Sequence, residues 1–231
     1  MTFKARIKRY IRGGTFALRW LLFEKPRGLD FSMRDLSQHI TSKTSSGYAL
    51  TPRQSFEEMI RHIPSVTEKD AFIDIGCGKG GVCWYASCAG FGKVAGVELE
   101  PYLADIAKKN FKTLGLENKV SIFNEDALSF AHYDDYNIYF LWRPFNENSL
   151  YIKLFDAVLE ACKAQLDGLS KRPIYIICFG DGDYVTVLEN NPVVKLDIFY
   201  RDSYRDTNVH IYRFAMDSFQ KKQEGYASSN H

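Results

Sequence analysis

The sequence predicts an α/β protein with a doubly wound, mostly parallel seven-stranded sheet that ends in a C-terminal antiparallel hairpin. Three observations lead to this fold class. Short apolar runs alternate with helical stretches from residue 70 onward, as in a parallel sheet covered by helices. A glycine-rich loop follows the first of these runs. The last two apolar runs are joined by a turn so short that they must pair antiparallel.

The elements expected from these runs follow in chain order. The parallel strands are Ala71–Ile75, Lys93–Glu98, Val120–Asn124, Tyr136–Leu141 and Pro173–Phe179. The helices between them are Gly80–Ala89, Pro101–Leu114, which Gly115 should stop, and Ser149–Leu166. The hairpin strands are Val193–Tyr200 and Thr207–Phe214. An earlier helix should run to about Ile63, with Thr51 as its N-cap and Pro52 at its first position.

The composition is that of a folded protein with one domain and terminal extensions. Of its 231 residues, 45% are apolar and 25% are charged. There is no run of 18 apolar residues, and the basic N-terminus lacks a cleavage site, so we expect neither a transmembrane helix nor a signal peptide. The five cysteines lack CxxC spacing and the histidines are scattered. This favours reduced, buried thiols in a cytoplasmic protein without a metal site.

The chain divides into three parts. We expect residues 1–50 to form a basic, amphipathic extension and a lid, residues 51–216 the main domain, and residues 217–231 a disordered polar tail. The lid would comprise the segment from Tyr48 to Thr51, because the residues before it are rich in Ser, Thr and Gly and suit a mobile loop.

Charge is concentrated at the N-terminus. Residues 1–27 carry a net charge of +7, against +2 for the whole chain. The stretch 1–24 mixes these cations with aromatic and aliphatic residues. Three interpretations stay open: it packs on the core or on a second subunit in a homodimer, it makes peripheral contact with a membrane, or it binds nucleic acid.

The loop after the first strand has the pattern of a ligand cradle. Glycines at 76, 78 and 80 allow a tight turn and a close approach of a ligand to the backbone, and Cys77 between them is small. Asp74 lies two residues before the first glycine, at the end of the strand. A carboxylate there suits a ligand with a positive amino group and is a poor neighbour for a pyrophosphate.

Two more acids follow the next strands. Glu98, with Leu99 beside it, ends the second strand and could accept hydrogen bonds from both hydroxyls of a ribose. Asp126 follows the third strand and could take a hydrogen bond from an adenine amino group, while the Ala127 amide serves a ring nitrogen. The carboxyl ends of these strands form one crevice, which is where open α/β sheets bind ligands.

The alternatives are a dinucleotide site and a turn without a ligand. Gly76, Gly78 and Gly81 also satisfy GxGxxG, the fingerprint of NAD-binding oxidoreductases. The C-terminal hairpin and Asp74 argue against that class. A third alternative is a protein that keeps the fold without catalysis.

Four segments together resemble class I S-adenosylmethionine (SAM)-dependent methyltransferases with a Rossmann-like sheet. They are Phe72–Gly80 (FIDIGCGKG), Val94–Pro101 (VAGVELEP), Asn124–Leu128 (NEDAL) and Tyr139–Phe145 (YFLWRPF). The resemblance covers about residues 45–215. It is strongest to a largely uncharacterised bacterial group with an Asn-Pro-Phe triplet after the fourth strand and a Tyr-x-x-Thr-Pro element upstream. Here Arg143 replaces the asparagine, and the upstream element runs from Tyr48 to Pro52.

The resemblance implies a cytoplasmic methyltransferase that uses SAM. It implies cofactor contacts at Tyr48, Thr51, Asp74, Gly76, Cys77, Gly78, Gly80, Glu98, Leu99, Asp126 and Ala127. It also implies that Trp142, Arg143, Pro144 and Phe145 line the methyl-donating side as the catalytic segment. Because SAM already carries an activated methyl group, the protein mainly has to position the acceptor. Help from Glu125 or Tyr48 and catalysis by proximity alone both stay open.

The acceptor is not identified by the sequence. A small molecule or a glycan is favoured. Arg143 would favour an acceptor that carries a carboxylate or phosphate.

Overall fold

The computed structural model describes residues 17–32, 48–167, 172–182 and 184–214. Within them lies one seven-stranded sheet with the strand order β3-β2-β1-β4-β5-β7-β6. The strands are β1 Ala71–Ile75, β2 Lys93–Val97, β3 Val120–Phe123, β4 Ile138–Leu141, β5 Tyr175–Phe179, β6 Val194–Asp202 and β7 Thr207–Phe214. The first five pair in parallel. The predicted fold class and the C-terminal hairpin are therefore confirmed.

The helices are α1 Arg53–Arg61, α2 Gly81–Cys88, α3 Pro101–Leu114, α4 Asn148–Asp167 and α5 Tyr184–Glu189. Gly115 ends α3 in the left-handed conformation, as predicted. The predicted start of α1 is wrong by one residue, because Pro52 has an extended backbone and is itself the N-cap. Thr51 is buried instead of capping the helix. The helix α5 was not predicted, because it is too short to show the helical spacing of apolar residues.

The strand ends also differ in detail from the predicted ones. The strand β4 begins at Ile138 and not at Tyr136, because Tyr133–Asp135 forms a 3₁₀ turn that ends at Tyr136. The strand β2 ends at Val97, one residue before Glu98. Every residue of β1 and β5 is buried, as expected for central strands covered on both faces. Asp74 of β1 lies beside Gly96 of β2 on one side and Phe140 of β4 on the other. The crevice therefore lies where these three strands end.

The two strands of the antiparallel hairpin do not follow the chain order in the sheet. The strand β7 pairs with β5, and β6 lies outside it at the edge of the sheet. Ile177 pairs with Ile211, and both are fully buried. Of the described strands, the last, β7, therefore completes the interior of the sheet, and the preceding one, β6, forms its border.

The N-terminal segment, which we define as residues 17–32, is anchored by one buried carboxylate. It contains a π-helical turn, Trp20–Glu24, and a 3₁₀ turn, Lys25–Arg27. Glu24 is fully buried and accepts hydrogen bonds from the amides of Phe31 at 2.9 Å and Ser32 at 2.8 Å. Arg19 pairs with the same carboxylate at 2.9 Å.

Several predictions lie outside the described residues. They are the rest of the basic extension, the loop before Tyr48 and the tail 217–231. In the described part of the chain, no helix is long and apolar enough to cross a membrane.

Gly96→Ala should disturb the end of β2 and the loop packed on it. A Cβ at Gly96 would lie 2.5 Å from the Cys77 sulfur and 2.9 Å from the Cys83 sulfur. Overpacking of this kind costs about 1–3 kcal/mol of the free energy of unfolding. We also expect faster hydrogen exchange of the Gly76 and Gly78 amides, because the Cys77 side chain must move.

Gly115→Ala is the control for Gly96→Ala. It also costs about 1–2 kcal/mol, because Gly115 has a positive φ of 64°, but a Cβ there meets no atom within 4 Å. Exchange at Gly76 and Gly78 should stay unchanged in this variant. Equal exchange in both variants would contradict the proposed packing.

Candidate functional site

A cavity of about 330 Å³ lies at the carboxyl ends of β1, β2 and β4. Its volume is in the range of small-molecule sites. It is lined by Tyr48, Ala49, Leu50, Thr51, Asp74, Gly76, Cys77, Gly78, Gly81, Val82, Val97, Glu98, Leu99, Leu103, Glu125, Asp126, Ala127, Phe140, Trp142, Arg143, Pro144, Phe145 and Asn146. All but one of the sequence-predicted site residues line it. The exception is Gly80, where a Cβ would lie 2.7 Å from the Phe111 ring, so Gly80 packs against α3.

The glycine loop is tied to β2 by its backbone. The amides of Gly76 and Cys77 both donate to the carbonyl of Val97, at 2.9 and 3.1 Å. Gly78 has a φ of 55°, and a Cβ there would lie 2.4 Å from the Tyr48 ring. Only glycine allows both this backbone conformation and this close approach. The loop therefore passes directly beneath Tyr48.

Glu98 organises the end of β2. Its carboxylate is buried and accepts one hydrogen bond from the Gly78 amide at 2.8 Å and one from the Glu100 amide at 2.9 Å. The Asn124 side chain donates to the carbonyls of Glu98 and Leu99, at 2.9 and 3.1 Å, and so connects β3 to the same turn. Burial raises the pKa of Glu98, while the two amides partly oppose that rise.

Asp74 is a second buried carboxylate in the same cavity, and it is 3% exposed. Burial raises its pKa well above the usual range, and the charge of Glu98 raises it further. The Cys83 thiol lies 3.9 Å from its Oδ2 and is its hydrogen-bond donor. Two neighbouring carboxylates in a poorly solvated site favour a ligand that brings positive charge.

The residues after β3 lie closer to the surface. Asp126 is exposed, and its carboxylate accepts a hydrogen bond from the Leu128 amide at 2.9 Å. Ala127 is buried beside it, and Leu99 is 37% exposed at the rim. Asp126 therefore caps a turn in this structure, and a carboxylate oxygen can accept further hydrogen bonds.

The segment from Trp142 to Phe145 forms the opposite wall. The Trp142 ring meets Phe179 edge to face, with ring centroids 5.0 Å apart. Pro144 lies against Gly76, where a Cβ would come within 3.0 Å of it. Phe145 is held by Tyr151, whose hydroxyl donates to its carbonyl at 2.9 Å.

Arg143 has an unusual backbone. Its φ is 46°, in the left-handed region that non-glycine residues rarely adopt. Its side chain is exposed and lines the cavity. A strained residue in a cavity wall is a reason to test a functional role.

An ion pair that was not predicted from the sequence lies below the glycine loop. Lys79 is 2% exposed, and its Nζ lies 2.8 Å from the carboxylate of Asp30. The hydroxyl of Tyr48 donates to the carbonyl of Phe31, next in the chain. The N-terminal segment is therefore bonded to the glycine loop through Lys79 and to Tyr48, whose ring lies over Gly78. A lysine inside a glycine-rich turn was the only sequence signal for this contact, since Asp30 is 49 residues away.

Arg205 was also missed. It lies in the turn between β6 and β7, donates to the carbonyl of Leu50, and has its guanidinium 5.0 Å from the centre of the Trp142 ring. Nothing in the local sequence connects this turn to the end of β4. The hairpin therefore reaches back to the mouth of the cavity.

The cysteines do not form disulfides. Four are buried as expected, but Cys88 is exposed at the end of α2. Among the described residues, no group of three or more His, Cys, Asp or Glu side chains could hold a metal ion.

Comparison with solved structures assigns the fold. An RNA methyltransferase from Salinibacter ruber bound to S-adenosyl-L-homocysteine (SAH) matches with a TM-score of 0.50 and 19% identity, over 73% of this chain and 94% of that one. A protein from Escherichia coli described as a methyltransferase matches with a TM-score of 0.55 and 15% identity, over 79% and 97%.

A third match is a geranyl diphosphate C-methyltransferase from Streptomyces coelicolor, solved with SAH. Its TM-score is 0.52 at 15% identity, over 70% of this chain and 78% of that one. No protein-family model matches this chain. At these identities the comparisons establish the Rossmann-like methyltransferase fold.

Asp74→Asn should stabilise the ligand-free protein at pH 7. Because burial and Glu98 raise the pKa of Asp74, its ionisation costs stability in the folded state. That cost is absent below the pKa of the unfolded chain and grows as the pH rises through the higher folded pKa. The gain in Tm from asparagine should therefore be larger at pH 7 than near pH 4, about the ordinary pKa of aspartate.

Glu125→Gln is the matched control, because Glu125 lines the same cavity but is exposed. It should change the free energy of unfolding by no more than about 0.5 kcal/mol. Thermal unfolding of both variants across this pH range tests the assignment. An Asp74→Asn gain that does not grow with pH would contradict it.

Proposed function

We propose that this protein is a methyltransferase that uses SAM. The observation that carries the proposal is the pair of buried carboxylates, Asp74 and Glu98, at the ends of adjacent strands beside the glycine loop. The cavity that they line includes the switch point of the sheet between β1 and β4, where this fold class binds ligands. The fold shared with SAH-bound methyltransferases supports the same cofactor.

The residues of the cavity fit the parts of this cofactor. Each oxygen of Glu98 accepts one backbone amide and can accept one more donor, which suits the two hydroxyls of a ribose. Asp74 offers a carboxylate to the positive end of the methionine part. Asp126 and Ala127 line the same cavity, and in this proposal the Asp126 carboxylate takes the adenine amino group while the Ala127 amide serves a ring nitrogen. The glycine loop offers close backbone approach without side chains.

The cofactor supplies an activated methyl group on a positively charged sulfur, so the protein has to position the acceptor and exclude water. Trp142 and Phe145 give the acceptor side an apolar wall. The hydroxyl of Tyr48 donates to Phe31, and burial raises the pKa of Tyr48 well above its usual value. Tyr48 is therefore a poor general base, and catalysis by proximity, with Glu125 nearby, is favoured.

Two alternative functions can each be distinguished from the proposed one by a measurement. An NAD-binding oxidoreductase would bind NAD at the same loop, but a pyrophosphate there would face the carboxylate of Asp74. A protein that keeps the fold without catalysis would bind SAM and release no SAH. Calorimetry with SAM, SAH and NAD distinguishes the proposed methyltransferase from an NAD-binding oxidoreductase. SAH release in the presence of acceptors distinguishes it from a protein without catalysis.

Glu98→Ala should weaken SAH binding by about 1.5–3 kcal/mol, or roughly tenfold to a hundredfold, because charge-assisted hydrogen bonds are lost. Part of the loss in SAH affinity arises because the Gly78 amide also loses its hydrogen bond to this carboxylate. Isothermal titration calorimetry measures the change. Asp105→Ala, an exposed acid on α3, is the control and should bind SAH normally. Normal SAH affinity in Glu98→Ala would refute the assignment.

We further propose that the acceptor carries a carboxylate or phosphate. The cavity has an acidic cofactor end at Asp74 and Glu98, while Arg143 lines the opposite wall. Arg205 adds a second guanidinium behind Trp142. Guanidinium groups suit planar, bidentate recognition of carboxylate and phosphate. Small molecules and glycans with such a group are the acceptors to test first.

Arg143→Asn tests this acceptor class. Asparagine adopts the left-handed backbone readily, so the variant should be at least as stable as the parent. For an anionic acceptor found by screening SAH release, we expect kcat/KM to fall about tenfold to a hundredfold, mainly through KM. SAH affinity should be unchanged.

Arg213→Asn is the control, because Arg213 pairs with Tyr175 at the amino end of β5, away from the cavity. Its kinetics should match the parent. Equal kcat/KM for anionic acceptors in Arg143→Asn and the parent would exclude this role of Arg143.

A further inference from the structure

The N-terminal segment exposes a stripe of leucines. Leu18, Leu21 and Leu22 are 56%, 52% and 65% exposed. Their spacing of three and four residues places them on one side of the helical turns. Single exposed leucines are ordinary on protein surfaces, whereas a contiguous group marks an interaction site. We call these three residues the leucine stripe.

The stripe is presented by an anchored turn. Glu24 follows it by two residues and is held by Arg19 and by the Phe31 and Ser32 amides. The Phe23 ring stacks on Trp84 of α2, with centroids 6.1 Å apart. The contacts of Glu24 lie on the inner side of the turn, while Phe23 lies at its border and is partly exposed. The leucines therefore stay outward because the turn is fixed to the body of the protein.

Cations border the stripe. Lys25 and Arg27 are exposed, with Lys25 Nζ 5.1 Å from the Trp20 ring centre and the Arg27 guanidinium 4.2 Å from that of Phe23. The two acids of the N-terminal segment are both paired: Glu24 is fully buried against Arg19, and the partly exposed Asp30 is bound to Lys79. The surface therefore combines aliphatic side chains, aromatic rings and positive charge, with both acids of the segment paired.

We propose that the leucine stripe docks on an anionic lipid surface. The leucines would enter the boundary between headgroups and acyl chains, while Lys25 and Arg27 stay at the headgroups beside Trp20 and Phe23. Lysine and arginine near such a surface gain from its negative potential. The contact is peripheral, and it is independent of the proposed methyl transfer.

The charges favour lipid over two other partners. In a symmetric contact between two copies, the stripe would face itself and bring Lys25 and Arg27 towards the same cations of the second copy. Nucleic acid requires cations at the centre of the contact, whereas leucines occupy the centre here. A lipid surface accepts both the apolar centre and the positive border.

Co-sedimentation of the full chain with vesicles tests the proposal. We expect binding at low salt to phosphatidylcholine vesicles that contain phosphatidylglycerol, and much weaker binding to phosphatidylcholine alone. The triple variant Leu18→Ser, Leu21→Ser and Leu22→Ser should lower the partition coefficient by about tenfold or more. Lys25→Glu with Arg27→Glu should reduce binding to the anionic vesicles only.

The matched control is Leu196→Ser with Phe199→Ser on the edge strand β6. These side chains are also exposed, at 44% and 56%, but they lie on β6 and outside the leucine stripe. This control should bind vesicles within about twofold of the parent. All variants change exposed side chains, so their Tm values should stay close to that of the parent, and thermal unfolding verifies this.

Three results would overturn the proposal. The parent protein could stay in the supernatant with anionic vesicles at low salt, or the triple variant could bind as the parent does. Light scattering after gel filtration could instead show a dimer that the triple variant converts to a monomer. That last result would assign the stripe to a second copy of the chain.

Discussion

The carboxylate of Glu98 connects the parts of the cavity. It accepts the amide of Gly78 from the glycine loop and the amide of Glu100 at the start of α3. The turn that carries it is braced from β3 by Asn124. One buried carboxylate thus connects the loop after β1 to the start of α3, in a turn that Asn124 also holds through the backbone. Burying it costs solvation, and these hydrogen bonds offset that cost.

A second set of contacts extends this order to the N-terminal segment. Lys79 leaves the loop beneath the cavity and pairs with Asp30, while Tyr48 covers Gly78 from above and bonds to Phe31. Lys79 is buried and Asp30 is partly exposed, so removing Asp30 would take an ionic partner from a buried ammonium group, which is costly. The segment is therefore part of the structure that shapes the cavity.

The sheet could be predicted from the sequence because its signals are local. Each signal depends on neighbouring residues: the apolar runs predict strands, Gly115 predicts a helix end, and the short final turn predicts a hairpin. The acids could be placed in one crevice because parallel strands end at the same edge of a sheet. The N-cap of α1 was predicted at Thr51 but is Pro52, because a Thr-Pro pair is compatible with a helix start at either residue. The contacts of Lys79 and Arg205 depend on partners 49 and 155 residues away, and no local pattern encodes them.

The place of β7 has a consequence for how the chain reaches this fold during synthesis. The strand β5 has a free edge until Thr207–Phe214 emerges, although β6 is made first and contains the hydrogen-bonding groups to fill that edge. During synthesis, β6 must therefore not pair with β5 before the turn after β6 has formed. The two strands of the hairpin can then add to the sheet together, with β7 next to β5. Long-range strand pairing is slow, and an unpaired edge invites association with other chains. Truncation before Thr207 would therefore leave a ribosome-released product with an unpaired β5 edge, prone to aggregation.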